Sequence, residues 1–148
     1  MFWMKKETLE KELAADVASQ VADQAEGFYR SGKLHCAEAV LASVRATFAP
    51  QLPEEVVQMA AGFGGGSGAG CICGAVSGGT MALGLVLAGD KKTAATLTRE
   101  LHGWFKDNYG ATCCKTLTVH GKKGCVNLTA TTAGKVAELL LAQGFEPK

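Results

Sequence analysis

The stretch CGAVSGGTMALGLVL, residues 73–87, decides the fold because it has the length of a helix and no charged side chain. It lies within a longer uncharged run from Val56 to Gly89. A helix that is apolar all round is either buried by its neighbours or crosses a membrane. Glycines, a serine and a threonine interrupt this one, and no aromatic belts flank it, so we expect a buried central helix and no membrane span.

Small residues recur every four positions along this predicted helix, at Gly74, Gly78 and Ala82. Side chains four apart share one helix face, so a second helix can approach closely there. The preceding loop Gly62–Gly70 is rich in glycine, and its backbone amides could surround an anionic group. Neither a Gly-Lys-Ser/Thr sequence nor a strand accompanies it, which argues against a nucleotide site.

Apolar residues at spacings of three and four predict amphipathic helices on both sides of this stretch. Neither strand-like alternation nor an internal repeat is present. The sequence therefore predicts an all-α fold: one domain, residues 1–148, forming a bundle of four to five main helices around a central Gly-rich helix. The predicted helical segments are Lys6–Arg30, His35–Phe48, Pro53 to about Ala61, Cys73–Leu87, Lys92–Tyr109, a short turn or helix over Cys114–Val119, and Cys125–Gln143.

Charge and composition narrow the choice of partners and compartment. The 148 residues include 15 basic and 14 acidic ones, without a basic stripe, so we expect no nucleic-acid partner. The chain begins with MFWM, and KKE follows at once, which is unlike a secretory signal. We therefore expect a cytoplasmic protein, in which clustered cysteines indicate metal or redox chemistry. The apolar start also predicts a homodimer through the N-terminal helix.

Four of the six cysteines fall at predicted helix N-termini: Cys36, Cys73, Cys114 and Cys125. A helix N-terminus presents free N–H groups and the positive end of the dipole, which stabilise a thiolate and lower its pKa. Such N–H groups also tune iron–sulfur centres. Two alternatives stay open from the residues alone, because six cysteines could fill gaps between helices or form three disulfides. Their spacing, without any C-x-x-C, is not a zinc-finger pattern.

The residues from Cys73 to Gly78 read C-G-A-x-x-G, and Ser77–Leu85 continues the motif. With Cys36–Leu41 upstream and Gly110–Leu117 and Cys125 downstream, the chain resembles the C_GCAxxG_C_C family of redox-active proteins. The resemblance extends from about Ser31 to the C-terminus. It implies a helical bundle related to the domain beside the haems of split-Soret cytochromes, although no C-x-x-C-H is present to attach a haem.

The resemblance implies that Cys36, Cys73, Cys114 and Cys125 hold an iron–sulfur cluster, which we expect to be [2Fe–2S], for electron transfer or redox sensing with a redox partner. The alternatives are a metal-free thiol–disulfide redox protein and a zinc-binding structural or trafficking protein. We expect no acid–base catalytic residue. Three further residues rank lower as ligands: Cys71, Cys113 and His35. We expect Cys73 rather than Cys71, and Cys114 rather than Cys113, to be the ligand.

Overall fold

A computed structural model of the protein describes residues 2–148, apart from the side chain of Phe2. This part of the chain contains no named strand, and six α-helices account for most of it, so the predicted all-α helical bundle is confirmed. Five of them are main helices, within the predicted range of four to five, and α5 is a single turn. The α-helices are α1 (Phe2–Arg30), α2 (Cys36–Phe48), α3 (Gly74–Leu87), α4 (Lys91–Tyr109), α5 (Cys114–Leu117) and α6 (Cys125–Ala142).

The segment after α2 differs from its prediction. Instead of an α-helix to about Ala61, residues Glu54–Phe63 form a 3-10 helix. Ala60 is the buried residue of this segment. Val57 and Phe63 are partly buried and pack against the core, while most other residues of the segment are exposed, so a few side chains hold it and no continuous buried face does.

Helix α3 lies at the centre and packs against α2, α4 and α6. Its buried residues include Ala75, Val76 and Leu83, whereas Gly84 is exposed, so one side of the helix reaches the surface. Within residues 2–148, no helix combines the length and hydropathy needed to cross a membrane.

The small residues of α3 set its distance from α2. A Cβ atom at Gly78 would overlap the carbonyl oxygen of Ala37, and one at Gly74 would overlap the Sγ atom of Cys36. The two backbones are therefore in contact where the sequence predicts a close approach. This contact also brings the first residue of α2 against the first residue of α3.

Helix α1 packs along α6, with Val21 and Ala25 fully buried. In contrast, every residue from 3 to 13 is exposed, including Trp3 at 62% and Leu9 and Leu13 at 55% each. Met1, part of the apolar start that predicts the homodimer, lies outside the described residues. The exposed half of α1 thus carries apolar side chains that the described part of the chain leaves mostly uncovered.

The contact between α2 and α3 predicts a contrast between two glycines of one helix. Gly78→Ala forces two backbones apart, so we expect it to lower the free energy of unfolding by about 1–3 kcal/mol. Gly84→Ala meets no atom within 4 Å. It should raise that free energy by about 0.5–1 kcal/mol, because alanine restricts the unfolded chain. Urea unfolding followed by circular dichroism measures both, and equal effects would contradict the proposed contact.

Candidate redox site

Four cysteines line one cavity of about 70 Å³: Cys36, Cys73, Cys114 and Cys125. That volume exceeds the roughly 10–15 Å³ that a single water needs, so the cavity has room for a small group. The two remaining cysteines are not on its lining. The other lining residues are Tyr29, His35, Gly65, Gly74, Leu117, Thr118, Lys122, Leu128 and Thr129.

Each cavity cysteine lies where a helix begins, as predicted. Cys36, Cys114 and Cys125 are the first residues of α2, α5 and α6, and Cys73 is the N-cap of α3. Four helix N-termini therefore converge on one small volume. Cys73 is buried, with 6% of its surface exposed, and the other three are half-buried.

A short antiparallel bridge joins the start of α3 to the start of α5. Ile72 and Cys113 are the bridge pair. The N–H of Cys73 donates to the carbonyl of Thr112 at 2.7 Å, and the N–H of Cys114 donates to the carbonyl of Cys71 at 2.8 Å. These two hydrogen bonds hold together the segments around Cys73 and Cys114, which are far apart in the sequence. A bridge of this length leaves no strand-like alternation by which it could be predicted.

The glycine-rich loop folds over Cys114. The N–H of Cys71 donates to the carbonyl of Gly66 at 3.0 Å and closes a tight turn over Gly66–Gly70. Gly66 has φ +68°, and a Cβ there would lie 2.7 Å from the Cβ of Cys114. Both the left-handed backbone and the close approach require glycine at this position. The sequence shows glycine throughout the loop, but only the structure identifies this one as a contact.

Burial reverses the pKa shift that the helix N-termini predict. Desolvation raises the pKa of Cys36, although the N–H groups of Ala37 and Gly65 oppose it. Desolvation also raises the pKa of Cys73 to about 11, against the N–H groups at the start of α3. The expected lowering is therefore wrong for these thiols, because removing a thiolate from water costs more than the amides return.

Cys125 follows the same trend with different neighbours. Desolvation makes the largest contribution to raising its pKa, and electrostatic repulsion from Cys114 adds to it. A hydrogen bond from the Tyr29 hydroxyl and the positive charge of Lys122 act in the opposite direction. Sequence reasoning missed both residues. Lys122 could have been noticed as a positive charge three residues before Cys125, whereas Tyr29 belongs to α1 and gives no local signal.

Among the cysteines whose pKa is shifted, Cys113 is the one whose pKa is lowered, and it lies outside the cavity. Its thiol donates to the carbonyl of Gly70 at 3.2 Å. The backbone N–H and the hydroxyl of Thr116 lower its pKa, with smaller contributions from Lys115. Cys113 is the N-cap of α5, so the helix N-terminus acts here as the sequence argument expects, but on a different cysteine.

His35 lies at the cavity lining as the exposed N-cap of α2. Its backbone N–H donates to the carboxylate of Glu38 at 3.1 Å, so Glu38 helps to cap α2. Within residues 2–148, no three or more His, Cys, Asp or Glu side chains form a group that could hold a metal ion. The cavity thus offers four sulfur donors of the type that iron–sulfur clusters and zinc use, but not a preformed metal geometry.

A family model with the description "Putative redox-active protein (C_GCAxxG_C_C)" matches residues 34–139. The chain belongs to this family. The match begins just before α2 and includes all six cysteines, while the whole of α1 lies before it. No curated protein and no solved structure matches the chain. The C_GCAxxG_C_C assignment indicates a redox-active protein.

The pKa shifts of this C_GCAxxG_C_C protein predict an order of thiol reactivity. In the reduced, metal-free protein at pH 7.5, we expect iodoacetamide to modify Cys113 well before Cys73. Alkylation requires the thiolate, and a pKa of about 11 leaves Cys73 almost entirely protonated. Its rate should keep rising up to about pH 11. Time-resolved mass spectrometry with fragmentation measures each site.

Thr116→Val provides the control for this order. It removes the hydroxyl that helps to lower the pKa of Cys113 and leaves the cavity untouched. We expect slower alkylation of Cys113 and an unchanged rate at Cys73. Equal rates at the two cysteines of the unmodified sequence would show that burial and helix position do not control these thiols.

Proposed function

We propose that Cys36, Cys73, Cys114 and Cys125 hold an iron–sulfur cluster and that the protein exchanges electrons with a redox partner or senses redox state. The supporting observation is the shared cavity, which collects these four thiols from four helix starts and leaves Cys71 and Cys113 outside. When bound, such a cluster supplies reversible electron transfer.

The residues around the thiols suit an anionic centre. Ligation requires thiolates, and the N–H groups that reach the sulfurs of Cys36 and Cys73 stabilise that charged form. Lys122 adds a positive charge beside Cys125. Because burial favours the protonated form of Cys36, Cys73 and Cys125, loading has to release protons, and the affinity should increase with pH.

The cavity offers four sulfur donors, a set that both iron–sulfur clusters and structural zinc sites use. We propose the cluster because the chain belongs to a redox-active family and zinc has no redox chemistry of its own.

A cytoplasmic location is part of the same proposal. All six cysteines are free thiols in the structure. Reducing compartments keep thiols in this form and available for metal binding, whereas oxidising ones favour disulfides.

A [2Fe–2S] cluster is the type that we propose for the four-ligand set.

Six single Cys→Ser variants test the ligand assignment. After anaerobic reconstitution with iron and sulfide, we expect cluster content to fall strongly at Cys36, Cys73, Cys114 and Cys125. Substitution at Cys71 or Cys113 serves as the matched control and should leave the content near that of the unmodified protein. Iron and sulfide analysis with an absorption spectrum measures it.

Two results would overturn the proposed cluster. A colourless protein with one zinc per chain would favour a structural or trafficking zinc site. A colourless, metal-free protein with reversible thiol titration would favour thiol–disulfide chemistry. Sensitivity at Cys71 or Cys113 equal to that of the cavity cysteines would overturn the four-ligand set itself.

We also propose that the chain forms a homodimer through the exposed half of α1. Leu9 and Leu13 are one turn apart on the same face, and both are mostly exposed. Lys6 and Asp16 lie towards opposite ends of this face. An antiparallel second copy centred on the leucines would therefore place opposite charges against each other while covering the apolar side chains.

The double substitution Leu9→Glu with Leu13→Glu tests the dimer. It places charges in the proposed contact, so we expect the mass at micromolar concentration to change from that of a dimer to that of a monomer. Met59→Glu is the control, since Met59 is 72% exposed on a different segment and should have no effect. Light scattering measures the mass, and a monomeric unmodified protein would rule out the dimer.

A further inference from the structure

Two cysteines have no part in the proposed cluster site, although the fold places both beside it. Cys71 is exposed, and Cys113 is half-buried. Both belong to the bridge that joins the starts of α3 and α5. Their positions relative to Cys114 differ, and that difference suggests a separate role for one of them.

Cys71 stands opposite Cys114 across the bridge. The N–H of Cys114 donates to the carbonyl of Cys71 at 2.8 Å, and the pair Ile72 and Cys113 comes next along the two segments. Residues that face each other in an antiparallel bridge have Cα atoms about 4.5–5.5 Å apart. This separation is within the range of about 4.4–6.8 Å that a disulfide spans.

The backbone register of the bridge separates Cys71 from Cys113. The N–H of Cys114 is hydrogen-bonded to Cys71 itself, whereas Cys113 is paired with Ile72. The Cys113 thiol donates to the carbonyl of Gly70 at 3.2 Å, and the Cys71 thiol has a longer contact of 3.9 Å with the carbonyl of Ala69. Cys71 is therefore the peripheral cysteine placed to meet Cys114.

Gly66 gives independent evidence for this proximity. A Cβ atom at Gly66 would lie 2.7 Å from the Cβ of Cys114 and 2.7 Å from the backbone nitrogen of Cys71. The side chain of Cys114 and the backbone of Cys71 are thus packed against the same point of the glycine loop. With glycine there, no side chain stands between them.

We propose that Cys71 is a resolving cysteine that pairs with Cys114 when the protein meets a hydroperoxide, and that the resulting disulfide withdraws Cys114 from the four-cysteine site. The release of a ligand rests on the proposed function above. The pairing itself rests only on the geometry of the bridge and of Gly66.

The reaction is balanced by the peroxide. The exposed Cys71 thiol attacks the O–O bond, which gives a sulfenic acid at Cys71 and one alcohol, or water if the oxidant is hydrogen peroxide. The Cys114 thiol then attacks the sulfenic sulfur, which forms the S–S bond and releases water. Two thiols lose two electrons, the peroxide gains them, and both thiol protons end in the products. A dithiol reductant reverses the pairing by thiol–disulfide exchange.

The consequence is a site with three available thiols. Cys36, Cys73 and Cys125 stay at the cavity, while Cys114 is tied to the rim. Oxidation at an exposed cysteine would thereby control a ligand that is itself half-buried. Cys113 takes no part, so it is the natural control for any effect of a peripheral thiol.

The first test uses the reduced, metal-free protein with one equivalent of hydrogen peroxide, followed by alkylation and mass spectrometry. We expect one disulfide, lost in Cys71→Ser and Cys114→Ser and retained in Cys113→Ser and Cys73→Ser. Variants are needed to assign the disulfide because trypsin, which cleaves after Lys and Arg, leaves Cys71 and Cys73 on one peptide. A link that survives Cys71→Ser, or that requires Cys113 or Cys73, would overturn the pairing.

The second test separates this inference from the proposed function. In cluster-loaded protein, peroxide should release iron at least about tenfold more slowly from Cys71→Ser than from the unmodified chain or Cys113→Ser. The variant lacks the Cys71 thiol that the fold holds beside Cys114, so Cys114 has no neighbouring thiol with which to pair. Equal release from all three would overturn the resolving role while the cluster stands. A chain that forms the disulfide but takes up no iron would overturn ligand release together with the proposed function.

Discussion

The backbones of α2 and α3 touch where Gly74 and Gly78 have no side chains, and the site depends on this contact. Gly78 meets the carbonyl of Ala37, and Gly74 meets the sulfur of Cys36. Any Cβ at either position would move the start of α2 away from Cys73. The same two glycines therefore serve packing in the core and the assembly of the cavity, which links stability to function at one contact.

The second constraint is the bridge between the starts of α3 and α5. Two backbone hydrogen bonds place Cys114 beside the α2–α3 contact, and the glycine loop closes over it. Because the bonds use main-chain atoms, they leave the cysteine side chains free for chemistry. They also place Cys71 opposite Cys114, so the same backbone bridge brings a fifth thiol to the edge of the site.

Electrostatics distinguish three of the cavity cysteines from Cys113. Burial raises the pKa of Cys36, Cys73 and Cys125, so these three thiols favour the protonated form and react slowly with alkylating agents. Cys113, outside the cavity, has the lowered pKa. A site of this kind gains its charge only when a bound centre replaces the protons, and amide N–H groups are already directed at two of its sulfurs.

Local patterns predict the α-helices and the cysteines at their starts, because helical periodicity and N-terminal residues are local properties, and the segment Glu54–Phe63 is the exception. The sequence also indicated the close approach of α2 and α3 through Gly74 and Gly78. The bridge at Ile72, the contact of Gly66 with Cys114 and the position of Tyr29 beside Cys125 depend on the tertiary structure. The direction of the thiol pKa shifts was decided there too, since desolvation depends on how much water the whole fold excludes, and no single segment contains that information.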